Sequence, residues 1–260
     1  MKLSGNTILI TGAGSGIGLA FAEALTRLGN DVVVAARSPN KIARARQQGL
    51  RTLFTDISDA GSVQRLATQA IAMFPALNVV MHNAAISRAE DLIRTDTTAI
   101  QEQTIATNLL GPLRLTNALL PHLLEQPTGA IIIVSSGLGF VPSALYPTYS
   151  ATKAALHSYS QSLRFQLRET DVEVIEIIPP YVQTELGSPA QATDPNAMPL
   201  AEFTSEAIEI LQRDPNTEEV VVERAVPHRV AAEGGRAHYA DFFRRYNSRF
   251  VSQGMRRERA

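Results

Sequence analysis

Short aliphatic runs alternate with longer stretches of helical periodicity along most of the chain. Thr7 to Ile10 is a compact apolar run that ends at Thr11, and a helical pattern follows through Leu19, Ala22, Leu25 and Leu28. Asp31 to Ala36, nearly all valine and alanine, predicts a second strand, and Leu53 to Thr55 a third, with a helix from about 59 to 73 after it. Asn78 to His82 predicts a fourth strand. From about 98 to 125 a long helical segment carries Ile105, Leu109, Leu113 and Leu120 on one side, and Pro112 predicts a kink in it. Ala130 to Val134 reads as a strand buried on both faces, because every residue after Ala130 is β-branched. A helix to about Glu169, a sixth strand from Val172 to Ile178, a helix from Phe203 to Arg213 and a seventh strand from Val220 to Val222 complete the alternation.

Strands that alternate with helices in this way predict one α/β domain over residues 1–260, a doubly wound parallel sheet of the Rossmann-like kind. Such sheets bind ligands outside the carboxyl ends of their strands. The residues at those ends therefore decide what the chain can do.

Gly12-Ala13-Gly14-Ser15-Gly16-Ile17-Gly18 lies between the first strand and the first helix. Glycine lets the backbone bend tightly and approach a ligand closely, and a helix start offers free N–H groups to a diphosphate. The spacing of Gly12, Gly16 and Gly18 departs from Gly-x-Gly-x-x-Gly and fits Thr-Gly-x-x-x-Gly-x-Gly. At the end of the second strand, Ala36 and Arg37 stand where an acid would meet a ribose 2′-hydroxyl, which leans towards a 2′-phosphate and NADP(H) over NAD(H). A solvent-facing arginine beside a helix cap at Ser38 is the plainer alternative. Asp56, after the third strand, suits either the adenine amino group or a cap on the next turn. Asn83-Ala84-Ala85 after the fourth keeps small residues where a cofactor would approach, and His82 before them reads as a packed core histidine. Asn108, alone on an apolar helix, is either a satisfied amide or part of a polar network.

Tyr149 and Lys153 stand four apart at the start of a helix, hence one above the other on a single face. A neighbouring ammonium favours phenolate and lowers a phenol's pKa from about 10 by roughly 1 to 3 units, which would let Tyr149 exchange a proton near neutral pH. Tyr146 has no lysine four residues on.

Composition narrows the partners. A net charge of -1 over 260 residues leaves no overall field to draw nucleic acid or an anionic membrane. There is no cysteine, no secretory signal in the first residues and no apolar stretch long enough to span a bilayer, so a cytoplasmic enzyme without a metal site is expected. Residues 187–199, rich in proline, alanine and small polar groups, predict a mobile loop or lid within a substrate loop of about 185 to 200. A C-terminal helix of about 236 to 254 places Tyr239, Phe242, Phe243, Tyr246 and Phe250 at helical spacing; its arginines Arg244, Arg245, Arg249, Arg256, Arg257 and Arg259 form a solvated face, with phosphate binding the alternative.

With the glycine motif, Asn83-Ala84-Ala85, Asn108, Ser136 and Tyr149-Ser-Ala-Thr-Lys153 in this order, residues 5 to 185 resemble the short-chain dehydrogenases/reductases of the single-domain branch. The resemblance implies that Tyr149 is the general acid/base, that Lys153 lowers its pKa and contacts the nicotinamide ribose, that Ser136 bonds the reacting oxygen and that Asn108 holds a relay water. It implies a diphosphate loop at Gly12, Ser15 and Ile17, adenine at Asp56, further cofactor contact at Asn83, and carboxamide contacts at Val182 and Thr184. Two positions depart from the pattern: Ala85 replaces a glycine, and Pro179-Pro180 replaces Pro-Gly, removing one backbone N–H. The Pro-Pro-x-Val-x-Thr run, with the aromatic C-terminal helix, looks like the branch of reductases named in connection with D-alanylation of teichoic acids. The expected activity is NADP(H)-linked interconversion of a small-molecule carbonyl and a secondary alcohol by a homodimer or homotetramer; a dinucleotide-sensing binding protein and a dehydratase or epimerase on the same scaffold are the alternatives.

Overall fold

The computed structural model describes residues 1–93 and 96–251, the side chains of 249–251 excepted. In chain order it contains β1 (Thr7–Thr11), α1 (Gly16–Arg27), β2 (Asp31–Ala36), α2 (Pro39–Gln47), β3 (Arg51–Phe54), α3 (Ala60–Met73), β4 (Leu77–His82) and α4 (Thr98–Ile105). A π turn (Ala106–Leu110) leads into α5 (Gly111–Leu124), followed by β5 (Gly129–Val134), α6 (Pro147–Leu167), β6 (Val172–Ile178), α7 (Leu200–Arg213), β7 (Glu219–Val221), α8 (Val226–Arg229) and α9 (Gly235–Val251).

The strands form one sheet in the order β3-β2-β1-β4-β5-β6-β7, every pairing parallel. Side chains alternate between the two faces of a strand, so each strand feeds two cores. Ile8, Ile10, Val34, Met81 and Ile132 pack with Phe21 and Leu25 of α1 and Phe203 and Leu211 of α7. Leu9, Val33, Val80, Ile131 and Ile133 pack with Leu66 of α3, Leu115 and Leu119 of α5, and Leu156 and Leu163 of α6. Coverage on both faces is why β5 carries no polar residue. The direction of winding reverses between β1 and β4, which opens a crevice at their carboxyl ends.

Several bounds differ from the sequence expectation. β3 starts at Arg51 and β7 ends at Val221. The long helical segment is continuous: α4 widens into the π turn around Asn108, and Pro112 stands in the first turn of α5 directly after it. Residues 187–199 are not wholly irregular, since Pro189–Thr193 forms a 3₁₀ turn. α9 is described to Val251; Arg256, Arg257, Arg259 and the side chains of Arg249 and Phe250 lie outside the described residues. No helix among the described residues is long and apolar enough to cross a membrane.

Candidate active site

The glycine loop is built for close approach. Gly12, at φ +69°, donates its N–H to the Ala35 carbonyl at 2.8 Å, and a Cβ on it would stand 2.6 Å from the Ala84 Cα. A Cβ on Gly18 would meet Asn83 Nδ2 at 2.4 Å and the Ala13 Cα at 2.8 Å. Ile17, between them, packs partly buried against the α1 side of the core. Ser15 precedes α1 without a capping hydrogen bond from its side chain, so the leading N–H groups of the helix remain free of that competitor. Its hydroxyl instead accepts from Lys41 Nζ at 2.7 Å.

Lys41 escaped the sequence reading. Ser38 caps α2 by accepting from the Lys41 N–H at 3.4 Å, which sets the lysine one turn beyond Arg37 and over the glycine loop. A cation four residues past Arg37, just inside a capped helix, was the available signal. Arg37 itself is exposed. Asp56 Oδ1 accepts from the Ser58 hydroxyl at 2.7 Å and from its N–H at 3.0 Å. Those bonds, chiefly the hydroxyl's, hold the carboxyl below its usual range, and the positive charge of Arg37 adds to them. Asp56 thus caps its own turn while facing the arginine.

Asn83 stitches β4 to β1: its Nδ2 donates to the Thr11 carbonyl at 3.0 Å, while its own N–H donates to Thr11 Oγ1 at 3.1 Å. Asn108 is a satisfied amide. Its Oδ1 accepts from the Ile86 N–H at 2.9 Å, and its Nδ2 donates to the Ile86 carbonyl at 2.9 Å and to Thr152 Oγ1 at 3.3 Å. It therefore ties the segment after β4 to the helix that carries Tyr149. His82 is a core histidine: Nε2 lies 2.9 Å from Thr116 Oγ1, and burial pushes its pKa down to about 4.

A second unforeseen residue orients that helix. Glu90, 3% exposed, accepts from the Thr148 N–H at 3.0 Å and from the Thr148 hydroxyl at 2.8 Å, placing an anion at the amino end of α6. No local pattern in sequence links residues so far apart. Tyr149, the next residue, is buried at 7% exposure beside the Ser136 hydroxyl. Ser136 follows β5 by two residues in extended conformation, its Oγ accepting from the Leu138 N–H at 3.1 Å. Lys153 lies one turn along, with Nζ 5.5 Å from the centre of the Tyr149 ring and donating to the Val134 carbonyl at 2.7 Å. Tyr149, Lys153 and Ser136 thus meet at the carboxyl end of β5.

The expected acidification of the phenol is not what this arrangement produces. Burial pushes the Tyr149 phenol up to about 12, with the Ser136 hydrogen bond pulling the other way. Burial brings Lys153 down to about 8, opposed by the charge of Glu176. The ammonium sits over the ring and on the Val134 carbonyl, and the cost of burying a phenolate, not the ammonium, sets the direction of the shift.

The turn after β6 is pinned. Val182 bridges to Met198, and Gln191 Nε2 donates to the Val182 carbonyl at 2.8 Å and to Thr184 Oγ1 at 3.1 Å. Thr184 in turn stands against the glycine loop, its Cγ2 3.4 Å from where a Gly16 Cβ would be. Of the aromatic stripe of α9, Tyr239, Phe242, Phe243 and Tyr246 are half-buried, and the His228 ring lies 5.2 Å from Phe242 and 5.0 Å from Tyr246. Asn247 accepts from the Ala144 N–H at 2.6 Å and donates to the Pro142 carbonyl at 3.1 Å.

The sequence model of the short chain dehydrogenase family matches residues 6–195, and the chain belongs to that family. It is 44% identical over 189 residues to the uncharacterized oxidoreductase DltE of Bacillus subtilis (strain 168), covering 72% of this chain and 75% of that one. DltE belongs to the branch that the Pro-Pro-x-Val-x-Thr run resembles. The uncharacterized oxidoreductase YbbO of Escherichia coli (strain K12) is 33% identical over 184 residues, covering 70% and 68%. Among solved structures, a short chain dehydrogenase from Burkholderia cenocepacia J2315 in complex with NADP shares the fold at a TM-score of 0.80 and 23% identity, over 94% of this chain and 99% of that one. A short chain dehydrogenase/reductase from Burkholderia phymatum in complex with NAD does so at 0.77 and 22%, over 90% and 95%.

Proposed function

We propose that this oxidoreductase interconverts a carbonyl and a secondary alcohol with NADP(H), and that Tyr149 is its general acid/base. The observation that carries the reading is the meeting of Tyr149, Ser136 and Lys153 at the end of β5, on the same edge of the sheet as a glycine loop in which Gly12 and Gly18 have no room for a side chain. The dinucleotide, when bound, supplies or takes up the hydride. Its diphosphate fits the bare backbone at Gly12, Ser15, Gly16, Ile17 and Gly18. Asp56 and Asn83 are assigned to the adenine side and the cofactor edge, Lys153 to the ribose, and Val182 and Thr184 to the carboxamide.

A phenol that stays protonated at neutral pH is a proton donor, so Tyr149 protonates the carbonyl oxygen as reduction proceeds. Ser136 bonds the same oxygen, a contribution whose removal typically costs about 10²- to 10³-fold. The Lys153 ammonium, charged below a pH of about 8, stabilises the phenolate left behind. Asn108 holds the Ile86 segment and Thr152 in register behind the phenol and is assigned the relay water. A screen of ketones, aldehydes and alcohols with NADPH and NADP⁺, followed at the nicotinamide absorbance, tests the reading. Turnover is the expected result; dinucleotide binding with no turnover across the panel would favour a sensing protein instead.

Preference for NADP(H) is assigned to Arg37 together with Lys41, the two cations beside the loop. Arg37→Ala and Lys41→Ala are each expected to narrow the NADPH-to-NADH affinity ratio by about tenfold, as for loss of one charge-assisted hydrogen bond. Fluorescence titration checks this, and an unchanged ratio would make both side chains structural. A homo-oligomer is proposed through the helices at about 98 to 125 and 148 to 169, where Ile105 is 40%, Leu110 37% and Phe165 68% exposed. Light scattering at micromolar concentration should exceed the monomer mass; a clean monomer refutes the assembly.

A further inference from the structure

One fully buried charged side chain on the sheet has no place in the reading above. Glu176 of β6, in an otherwise aliphatic stretch of the strand, is fully buried at 0% exposure. Its Oε2 accepts from the Ser160 hydroxyl at 2.9 Å and lies 2.8 Å from His157 Nδ1, while Oε1 has no hydrogen-bond partner among the described residues. Tyr149, Lys153, His157 and Ser160 follow one another on a single face of α6. The register of β5 and β6 sets Ile133 beside Glu176 and Val134 beside Ile177, so the ammonium on the Val134 carbonyl lies next to the strand position of the carboxylate.

Among the described residues, the titratable groups facing Glu176 are Lys153 and His157 from α6, Glu219 from β7 and Arg229 from α8. Arg229 is committed to Glu219, with Nε 2.6 Å from Oε2 and Nη2 3.3 Å from Oε1, and the Phe140 ring stacks on the other side of it at 5.1 Å. Phe140 also lies 4.5 Å from the His157 ring and closes the cluster towards the 3₁₀ turn after Ser136. A buried carboxylate needs a compensating cation, and Lys153 is the one on the active-site side.

We propose that Glu176 is a positioning residue, the buried counter-anion that keeps Lys153 an ammonium beside Tyr149, with His157 and Ser160 holding its carboxylate in place. The proposal rests on the role given to Lys153 above and extends it one layer into the sheet. Its direction agrees with the upward pull of Glu176 on Lys153, which burial alone would take lower. Glu176→Gln keeps the shape and removes the charge.

The test is the ¹³Cε resonance of Lys153, followed against pH in lysine-labelled protein and identified by its disappearance in Lys153→Met. In Glu176→Gln the inflection should fall by about 1 to 3 units, and in Glu176→Asp it should stay near wild type. If the glutamine variant does not fold, carboxyl ¹³C spectra of the wild type decide: Glu176 should be ionised at neutral pH, and its shift should move with the Lys153 inflection. An unmoved Lys153 titration in Glu176→Gln, or a neutral Glu176 carboxyl at pH 7, overturns the proposal. Neither readout uses turnover, so both stand if the enzymatic reading fails. Where a substrate is in hand, Glu176→Gln should also move the alkaline limb of turnover to lower pH, because Lys153 then loses its proton sooner.

Discussion

Tyr149→Phe lowers turnover by about 10²- to 10⁴-fold, the range for loss of a positioned general acid. The substitution keeps the ring in its buried seat under Lys153 and deletes only the hydroxyl beside Ser136, so folding and dinucleotide binding should survive. The loss should therefore appear in turnover number with little change in the dinucleotide dissociation constant. Steady-state rates with any accepted carbonyl, together with NADPH titration of the same preparation, separate the two. Rates near wild type would remove Tyr149 from the chemistry, and with it the reason for Ser136 and Lys153 to converge there.

The parallel sheet was legible because each strand is covered on both faces, which leaves runs such as Ile131-Ile132-Ile133-Val134 that nothing else explains. The glycine loop was legible for a related reason: Gly12 and Gly18 face Ala84 and Asn83 so closely that only glycine fits, and the requirement is written in consecutive residues. Tyr149 and Lys153 were legible because helical spacing alone brings them together. What escaped was set by contacts between distant segments. Glu90 reaches α6 from the loop after β4, Lys41 crosses from α2 to Ser15, and Gln191 pins Val182 from within a stretch that looks irregular. The π turn at Asn108 was invisible for the same reason, since the irregularity surrounds an amide engaged with Ile86 and Thr152. The direction of the Tyr149 shift was misjudged because helical spacing fixes that a phenol and an ammonium are neighbours, whereas the depth of burial, which governs the balance, is a property of the whole fold.

That balance also shows where the central claim is most exposed. A phenol held near 12 is a reservoir for one proton, and it becomes a usable acid/base only if forming the complex makes the phenolate easier to reach. Lys153, charged up to a pH of about 8 and one turn from the phenol, is present with or without the dinucleotide, so a change on binding would come from the positive ring of NADP⁺ added beside it. Ultraviolet titration of phenolate, taken as the difference between wild type and Tyr149→Phe, isolates this residue from the other five tyrosines of the chain. The expected result is a Tyr149 inflection near 12 in the protein alone and one lower by about 1 to 3 units in the NADP⁺ complex. A Tyr149 inflection that stays in place when NADP⁺ is bound would contradict the account.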